Sequence, residues 1–210
     1  MKNNIDYSLY LVTDRDVLVD TDIYTGVEEA IKGGVTVVQI REKSLGTLDF
    51  YNIAVKVKKI TDKYKIPLII NDRIDIAQAI DAAGVHVGQS DMPAAIARSI
   101  IGENKILGVS TTTLEEALKA EQQGADYVGV GAMFPTTTKD DASAVSVECL
   151  KEIRKSISIP VVAIGGINEK NVELLKPANI DGIAVVSDIL SKKSIKAAAE
   201  KLSVMMRCLD

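Results

Sequence analysis

Apolar residues along this chain collect into short, largely β-branched runs: Leu9 to Val12, Val35 to Ile40, Leu68 to Ile70, Val85 to Val87, Ile106 to Val109, Tyr127 to Val130, Val161 to Ile164 and Ile183 to Val186. Each has the length of a strand buried on both faces. Between the runs, apolar positions step by three and four, as in Leu48-Tyr51-Ala54-Val55-Lys58 and Leu114-Ala117-Leu118-Glu121, the spacing of one helix face. Gly-Ala-Asp ahead of Tyr127, Lys-Ile-Pro ahead of Leu68 and Ser-Ile-Pro ahead of Val161 mark returns from helix to strand, because neither Gly nor Pro continues a helix cheaply. Strands alternating with helices make a parallel sheet through right-handed crossovers. Eight such units in 210 residues predict an α/β fold, a (β/α)8 barrel, as one domain over 1–210. An open doubly wound sheet would carry a Gly-x-Gly-x-x-Gly turn after its first strand, where Leu11-Val12-Thr13-Asp14-Arg15 has none.

A barrel places its chemistry just after each strand, and those positions are polar here. In Val37-Val38-Gln39-Ile40-Arg41-Glu42-Lys43, alternation of side chains sends Gln39, Arg41 and Lys43 to one side and Val38 and Ile40 to the other. Three hydrogen-bond donors, two of them cationic, predict an anion site. Asn71-Asp72-Arg73 follows the third run, Gly88-Gln89-Ser90-Asp91 the fourth and Ser110 the fifth. Asp72 and Asp91 end adjacent strands about 5 Å apart. They can address one Mg2+, which takes few protein carboxylates and completes its shell with water and phosphate oxygens. The competing reading is helix capping, with Asp72 opening the segment Ile74 to Ile80 and Asp91 preceding Met92-Pro93.

Gly165-Gly166 closes the seventh run and leads into Asn168-Glu169-Lys170, read as a helix start. Glycines there let backbone N–H groups approach a phosphate, and Val186-Ser187 after the eighth run completes the usual barrel cradle; a plain tight turn is the alternative. Thr136-Thr137-Thr138-Lys139 has the composition of a loop that closes over an anionic ligand, or simply of a solvated loop. His86 is the only histidine and lies within a strand rather than after it, which favours a hydrogen-bonded structural role. With no second histidine and no activated cysteine or serine in view, the site is built for electrostatics rather than covalent catalysis.

Composition narrows the partners. With 29 acidic against 25 basic residues, a net charge of −4 and no Trp, the chain has no general nucleic-acid surface, so anion binding must be local. No apolar run is long enough to span a bilayer, and Met1-Lys2-Asn3-Asn4 is too polar to open a secretory signal; a cytoplasmic location is expected. Cys149 and Cys208 are far apart, form no CxxC pair and read as packing residues. Mixed surface composition is compatible with a homodimer and proves none.

Taken together, the chain closely resembles the thiamine-phosphate synthase family, also called thiamine-phosphate pyrophosphorylase. The matching segments are Leu9 to Asp14, Val38 to Lys43, Ile70 to Arg73, Gly84 to Asp91, Gly108-Val109-Ser110, Gly129 to Lys139, Ala163 to Ile167 and Val186-Ser187, in family order over nearly the whole chain. The resemblance implies a Mg2+-dependent transferase. It would condense 4-amino-2-methyl-5-(diphosphooxymethyl)pyrimidine with a thiazole phosphate, releasing diphosphate. It further implies that Gln39, Arg41, Lys43, Asn71, Ser110 and Lys139 hold the pyrimidine diphosphate. Arg41, Lys43 and Lys139 would stabilise the leaving group, Asp72 and Asp91 would hold the metal, and Thr136, Thr137, Thr138, Gly166, Val186 and Ser187 would hold the thiazole phosphate. Two departures stand out. Thr111-Thr112-Thr113 lacks a histidine common in relatives, and Asn179 stands where relatives carry a turn glycine, a position Asn can fill in the left-handed conformation. Rival readings are a thiazole tautomerase of the same superfamily, which would need a proton-transfer residue and no diphosphate half, and a barrel that binds thiamine precursors without turnover.

Overall fold

A computed structural model describes residues 5–136 and 144–208. Eight parallel strands close into a barrel in sequence order: β1 (Leu9–Val12), β2 (Val37–Ile40), β3 (Leu68–Asn71), β4 (Gly84–Val87), β5 (Ile106–Thr111), β6 (Tyr127–Val130), β7 (Val161–Ile164) and β8 (Gly182–Val185), with β8 pairing back onto β1. Helices α1 (Ile23–Lys32), α2 (Thr47–Tyr64), α3 (Ile74–Ala79), α4 (Ala94–Ile101), α5 (Leu114–Gln122), α6 (Val147–Ser156), α7 (Ser187–Leu190) and α8 (Ile195–Arg207) accompany the strands. Among the described residues, no helix is long and apolar enough to cross a membrane.

Alternation along the strands separates two cores. Leu9, Leu11, Val38, Ile40 and Ile70 face the helices, while Tyr10, Val12, Val37, Ile69 and Tyr127 fill the barrel interior. Helix α1 shows how the outer layer is fixed: Ile23, Val27, Ala30 and Ile31 are buried on one face, and Asp22 caps the start by accepting from Thr25 N at 2.8 Å. Register follows the interior packing. His86 on β4 pairs with Gly108 on β5, and Gly108 pairs with Tyr127 on β6, so the missing side chain at 108 leaves room for its two neighbours to meet.

Three expectations need correction. The segment after β7 does not start an α-helix at Asn168. The Asn168 and Asn171 side chains instead bond the Gly166 carbonyl at 3.1 and 2.9 Å, and a 3₁₀ helix with Pro177 inside it runs over Val172–Ala178. Val35 is not in a strand, because its N–H returns to Ala30 O to close the turn after α1. Cys208 is exposed just past the end of α8, so only Cys149, half-buried against the outer core, packs as expected.

Candidate active site

The C-terminal mouth of the barrel brings together groups from seven strands, β2 to β8. Gln39 points inward at the end of β2 and is buried, its Nε2 donating to the Tyr10 hydroxyl at 2.8 Å. The two cations beyond it leave the barrel wall. Arg41 is half-buried and held through its backbone N–H on Thr13 Oγ1, and its guanidinium makes no ion pair among the described residues. Lys43 reaches across to β3, its Nζ 2.5 Å from Asp72 Oδ2. Glu42, between them, turns away and holds Arg15 at 2.7 Å, so the loop after β1 braces the loop that carries both cations.

Neither Asp72 nor Asp91 caps a helix. The residue before α3 is Arg73 and the residue before α4 is Pro93, and neither helix start has a side-chain cap. Asp72 adopts φ +61°, a left-handed conformation that an aspartate tolerates better than most residues. Asp91 Oδ2 accepts from Gly88 N at 2.8 Å. The two carboxylates lie within hydrogen-bonding reach of each other. Burial pushes Asp72 up, with Asp91 adding to the rise and Lys43 opposing it. Burial also acts on Asp91, but its hydrogen bonds with Asp72 and Gly88 outweigh that and leave it low. Two like charges this close favour sharing a proton until a cation replaces it. Among the described residues no third acidic, histidine or cysteine side chain joins them. That donor set suits Mg2+, which takes one or two carboxylates and fills its shell from water and substrate.

A second group of the candidate residues lies across the mouth. Gly165 and Gly166 have φ of +99° and +64°, and a Cβ on Gly166 would sit 2.5 Å from Pro135 O and 2.7 Å from Phe134 O. Only glycine fits that approach. Met133 N and Phe134 N bond back to Ile164 O and Gly165 O at 2.9 and 3.0 Å, which stacks the segment after β6 on this turn and brings Thr136 beside it. A cavity of about 540 Å³ opens there between Thr136, Gly166, Ser187 and Lys192. Val186 precedes the short helix α7, whose first N–H groups have no partner within the helix.

The model for the family described as thiamine monophosphate synthase matches residues 9–189. The chain belongs to the thiamine monophosphate synthase family. It is 60% identical over 200 residues to a thiamine-phosphate synthase from Clostridium tetani, covering 95% of this chain and 96% of the relative. It is 58% identical over 209 residues to one from Alkaliphilus oremlandii, covering 99% and 100%. The structure of a thiamine phosphate pyrophosphorylase from Pyrococcus furiosus superposes with a TM-score of 0.90 at 39% identity, over 98% of both chains.

Placed on this family's barrel, the residues singled out in the sequence fall into two groups. Gln39, Arg41, Lys43, Asn71, Asp72, Asp91 and Ser110 gather around β2 to β5, and Thr136, Gly166, Val186 and Ser187 around β6 to β8. Thr137, Thr138 and Lys139 lie outside the described residues. Several supporting groups were missed. Gln89 Nε2 donates to Ser110 O at 2.7 Å, and Asp188 ties the loops after β7 and β8 by accepting from Glu169 N at 3.1 Å and pairing with Lys192 at 2.6 Å. Their signal was present only as polar residues close after strands, with nothing to say which partner each would find. His86 is buried and hydrogen-bonded at both ring nitrogens, at 2.9 Å to Tyr127 and to Ser110, in line with a structural histidine.

Proposed function

We propose that this protein is a thiamine-phosphate synthase, joining 4-amino-2-methyl-5-(diphosphooxymethyl)pyrimidine to a thiazole phosphate. The observation that carries this is the pairing of a cationic and carboxylate cluster, Arg41, Lys43, Asp72 and Asp91, with a separate cavity at Gly166, Thr136 and Ser187 in the same mouth. One site suits a diphosphate that must leave; the other suits a phosphate that is kept.

In the reaction, the bond between the pyrimidine methylene carbon and the diphosphate oxygen breaks, and the electron pair leaves with the diphosphate. The aminopyrimidine stabilises the resulting cation, and the thiazole nitrogen attacks the methylene carbon with its lone pair. No proton is removed in forming that bond, so no general base is required. Arg41, Lys43 and Lys139 stabilise the charge that grows on the leaving group. Asp72 and Asp91 would hold Mg2+, which when bound would supply further positive charge to the leaving group. Gln39, Asn71 and Ser110 orient the pyrimidine, and Thr136, Thr137, Thr138, Gly166, Val186 and Ser187 hold the thiazole phosphate so that its nitrogen faces the reacting carbon.

The test is to mix the purified protein with both substrates, with Mg2+ or with EDTA, and follow thiamine phosphate and diphosphate together. Equal amounts of both, formed only with Mg2+, are expected. Absence of both from folded protein that still binds thiazole phosphate refutes the reading.

A further inference from the structure

The barrel interior contains a hydrogen-bond chain that ends on two groups assigned above to the pyrimidine. Gln39 Nε2 donates to Tyr10 Oη at 2.8 Å, Tyr10 Oη meets Tyr127 Oη at 2.7 Å, Tyr127 Oη meets His86 Nδ1 at 2.9 Å, and His86 Nε2 meets Ser110 Oγ at 2.9 Å. Tyr10 and Tyr127 are about 1% exposed, and no other hydrogen-bond partner reaches either hydroxyl among the described residues. Gly108 fixes the middle of the chain, since a Cβ there would lie 2.2–2.4 Å from the Tyr127 ring and hydroxyl.

Proton counting gives the chain a direction. A carboxamide NH2 can only donate, so Tyr10 accepts from Gln39 and gives its single proton to Tyr127. Tyr127 then gives its proton to His86 Nδ1, His86 carries its own on Nε2 and gives it to Ser110 Oγ, and no buried donor is left without an acceptor. Burial pushes both tyrosines well above their ordinary range, so their protons stay in place. The orders that run the opposite way need Gln39 turned over and a proton on His86 Nδ1, alone or together with one on Nε2.

We propose that Tyr10, Tyr127 and His86 are positioning residues for the pyrimidine: as one chain they turn the Gln39 carbonyl oxygen and the Ser110 hydroxyl proton to the barrel mouth. An acceptor and a donor presented together complement a ring that offers an amino group and a ring nitrogen, as an aminopyrimidine does. The kinetic side of this inference rests on the synthase reading; the proton order does not.

Because His86 is the only histidine in the chain, one-bond and long-range 15N correlation spectra of the labelled protein at about pH 8, above the ordinary histidine range, report its tautomer without assignment. A proton on Nε2 alone is expected. A proton on Nδ1, or on both nitrogens, overturns the inference, whether or not the protein makes thiamine phosphate. The second measurement is Tyr127→Phe, which cuts the chain while keeping the ring. It should lower kcat/KM for the pyrimidine diphosphate about tenfold, the worth of one ordered hydrogen bond, and leave KM for the thiazole phosphate unchanged. The same substitution in a Ser110→Ala background should lower it clearly less, because part of its effect passes through Ser110. Equal losses toward both substrates, or full additivity with Ser110→Ala, would mean that the hydroxyl serves the core alone. Inactive wild-type protein with the Nε2 proton would support the chain and refute the synthase reading.

Discussion

Lys43→Ala gives the most direct test of the charge argument. In the free protein the ammonium lies 2.5 Å from Asp72 Oδ2, already at the mouth and beside the carboxylate pair. A unit positive charge about 4 Å from a leaving-group oxygen is worth about 1 kcal/mol in bulk water and about 4 kcal/mol at an effective dielectric of about 20. The Lys43 side chain is 52% exposed, so the interaction falls midway, at about 2.5 kcal/mol, or about 70-fold in rate. That is close to the factor of about 10² seen when one preorganised electrostatic donor is removed. The expected result is a fall of that size in kcat/KM for the pyrimidine diphosphate, measured by diphosphate release at saturating thiazole phosphate and Mg2+. Thermal stability should hardly move, because an ion pair this exposed contributes at most about 1 kcal/mol, or about 2–4 °C in a chain of this size. Lys43→Arg should recover part of the loss, keeping the charge in a different shape. A Lys43→Ala variant within about threefold of wild type would refute the reasoning, since even fully solvated charge contributes about 1 kcal/mol.

Three further outcomes follow from particular contacts. The pKa of Asp72 is raised in the folded state, so the folded protein holds a proton that the unfolded chain has released; stability therefore falls as pH rises from the ordinary aspartate value of about 3.9 through the raised one. Asp72→Asn keeps the left-handed backbone, and differential scanning fluorimetry without Mg2+ should find it more stable than wild type at neutral pH, with Mg2+-dependent turnover down by about 10² or more; a lower Tm would contradict the sign. Gly166→Ala places a methyl against two backbone carbonyls and should raise KM for thiazole phosphate about tenfold or more, with a smaller effect on KM for the pyrimidine diphosphate, as initial rates at varied concentrations of each substrate would show. Gly108→Ala drives a Cβ into the buried Tyr127 ring and should lower stability by about 3 kcal/mol, read as about 6–12 °C in Tm by calorimetry; an unchanged Tm would mean that the interior yields.

The barrel was legible because its strands are buried on both faces, so each reads as a continuous apolar run with helical spacing between runs. The left-handed turn at Asn179 was legible too, and its φ is +50°. Other features depend on partners that a linear pattern does not name. Asp72 and Asp91 each stand where a cap belongs, and only the backbone shows that Arg73 and Pro93 take that place. Asn168-Glu169-Lys170 looks like a helix start until the two asparagine side chains are seen holding Gly166 O. Tyr10 and Tyr127 read as ordinary strand residues, because their hydroxyl contacts follow from register across the closed barrel.

In the proposed chemistry the two halves of the mouth would meet their anions by different physics. A leaving diphosphate gains charge as its bond breaks, so what helps is charge that interacts more strongly late in the step: the Lys43 ammonium, the Arg41 guanidinium and a cation held by Asp72 and Asp91. The thiazole phosphate keeps the same charge throughout, and stronger cations there would tighten the ground state and the transition state alike, without speeding the reaction. A cradle of glycine backbone, hydroxyls and the first turn of α7 meets that need, with Lys192 already paired to Asp188 at its rim. The segment after β6 is hydrogen-bonded to the turn after β7 through Met133 N and Phe134 N, so it is fixed on the side of the mouth proposed to take the thiazole phosphate. When the thiazole phosphate is withheld, the methylene cation has no partner but the departed diphosphate or water, so slow diphosphate release is expected.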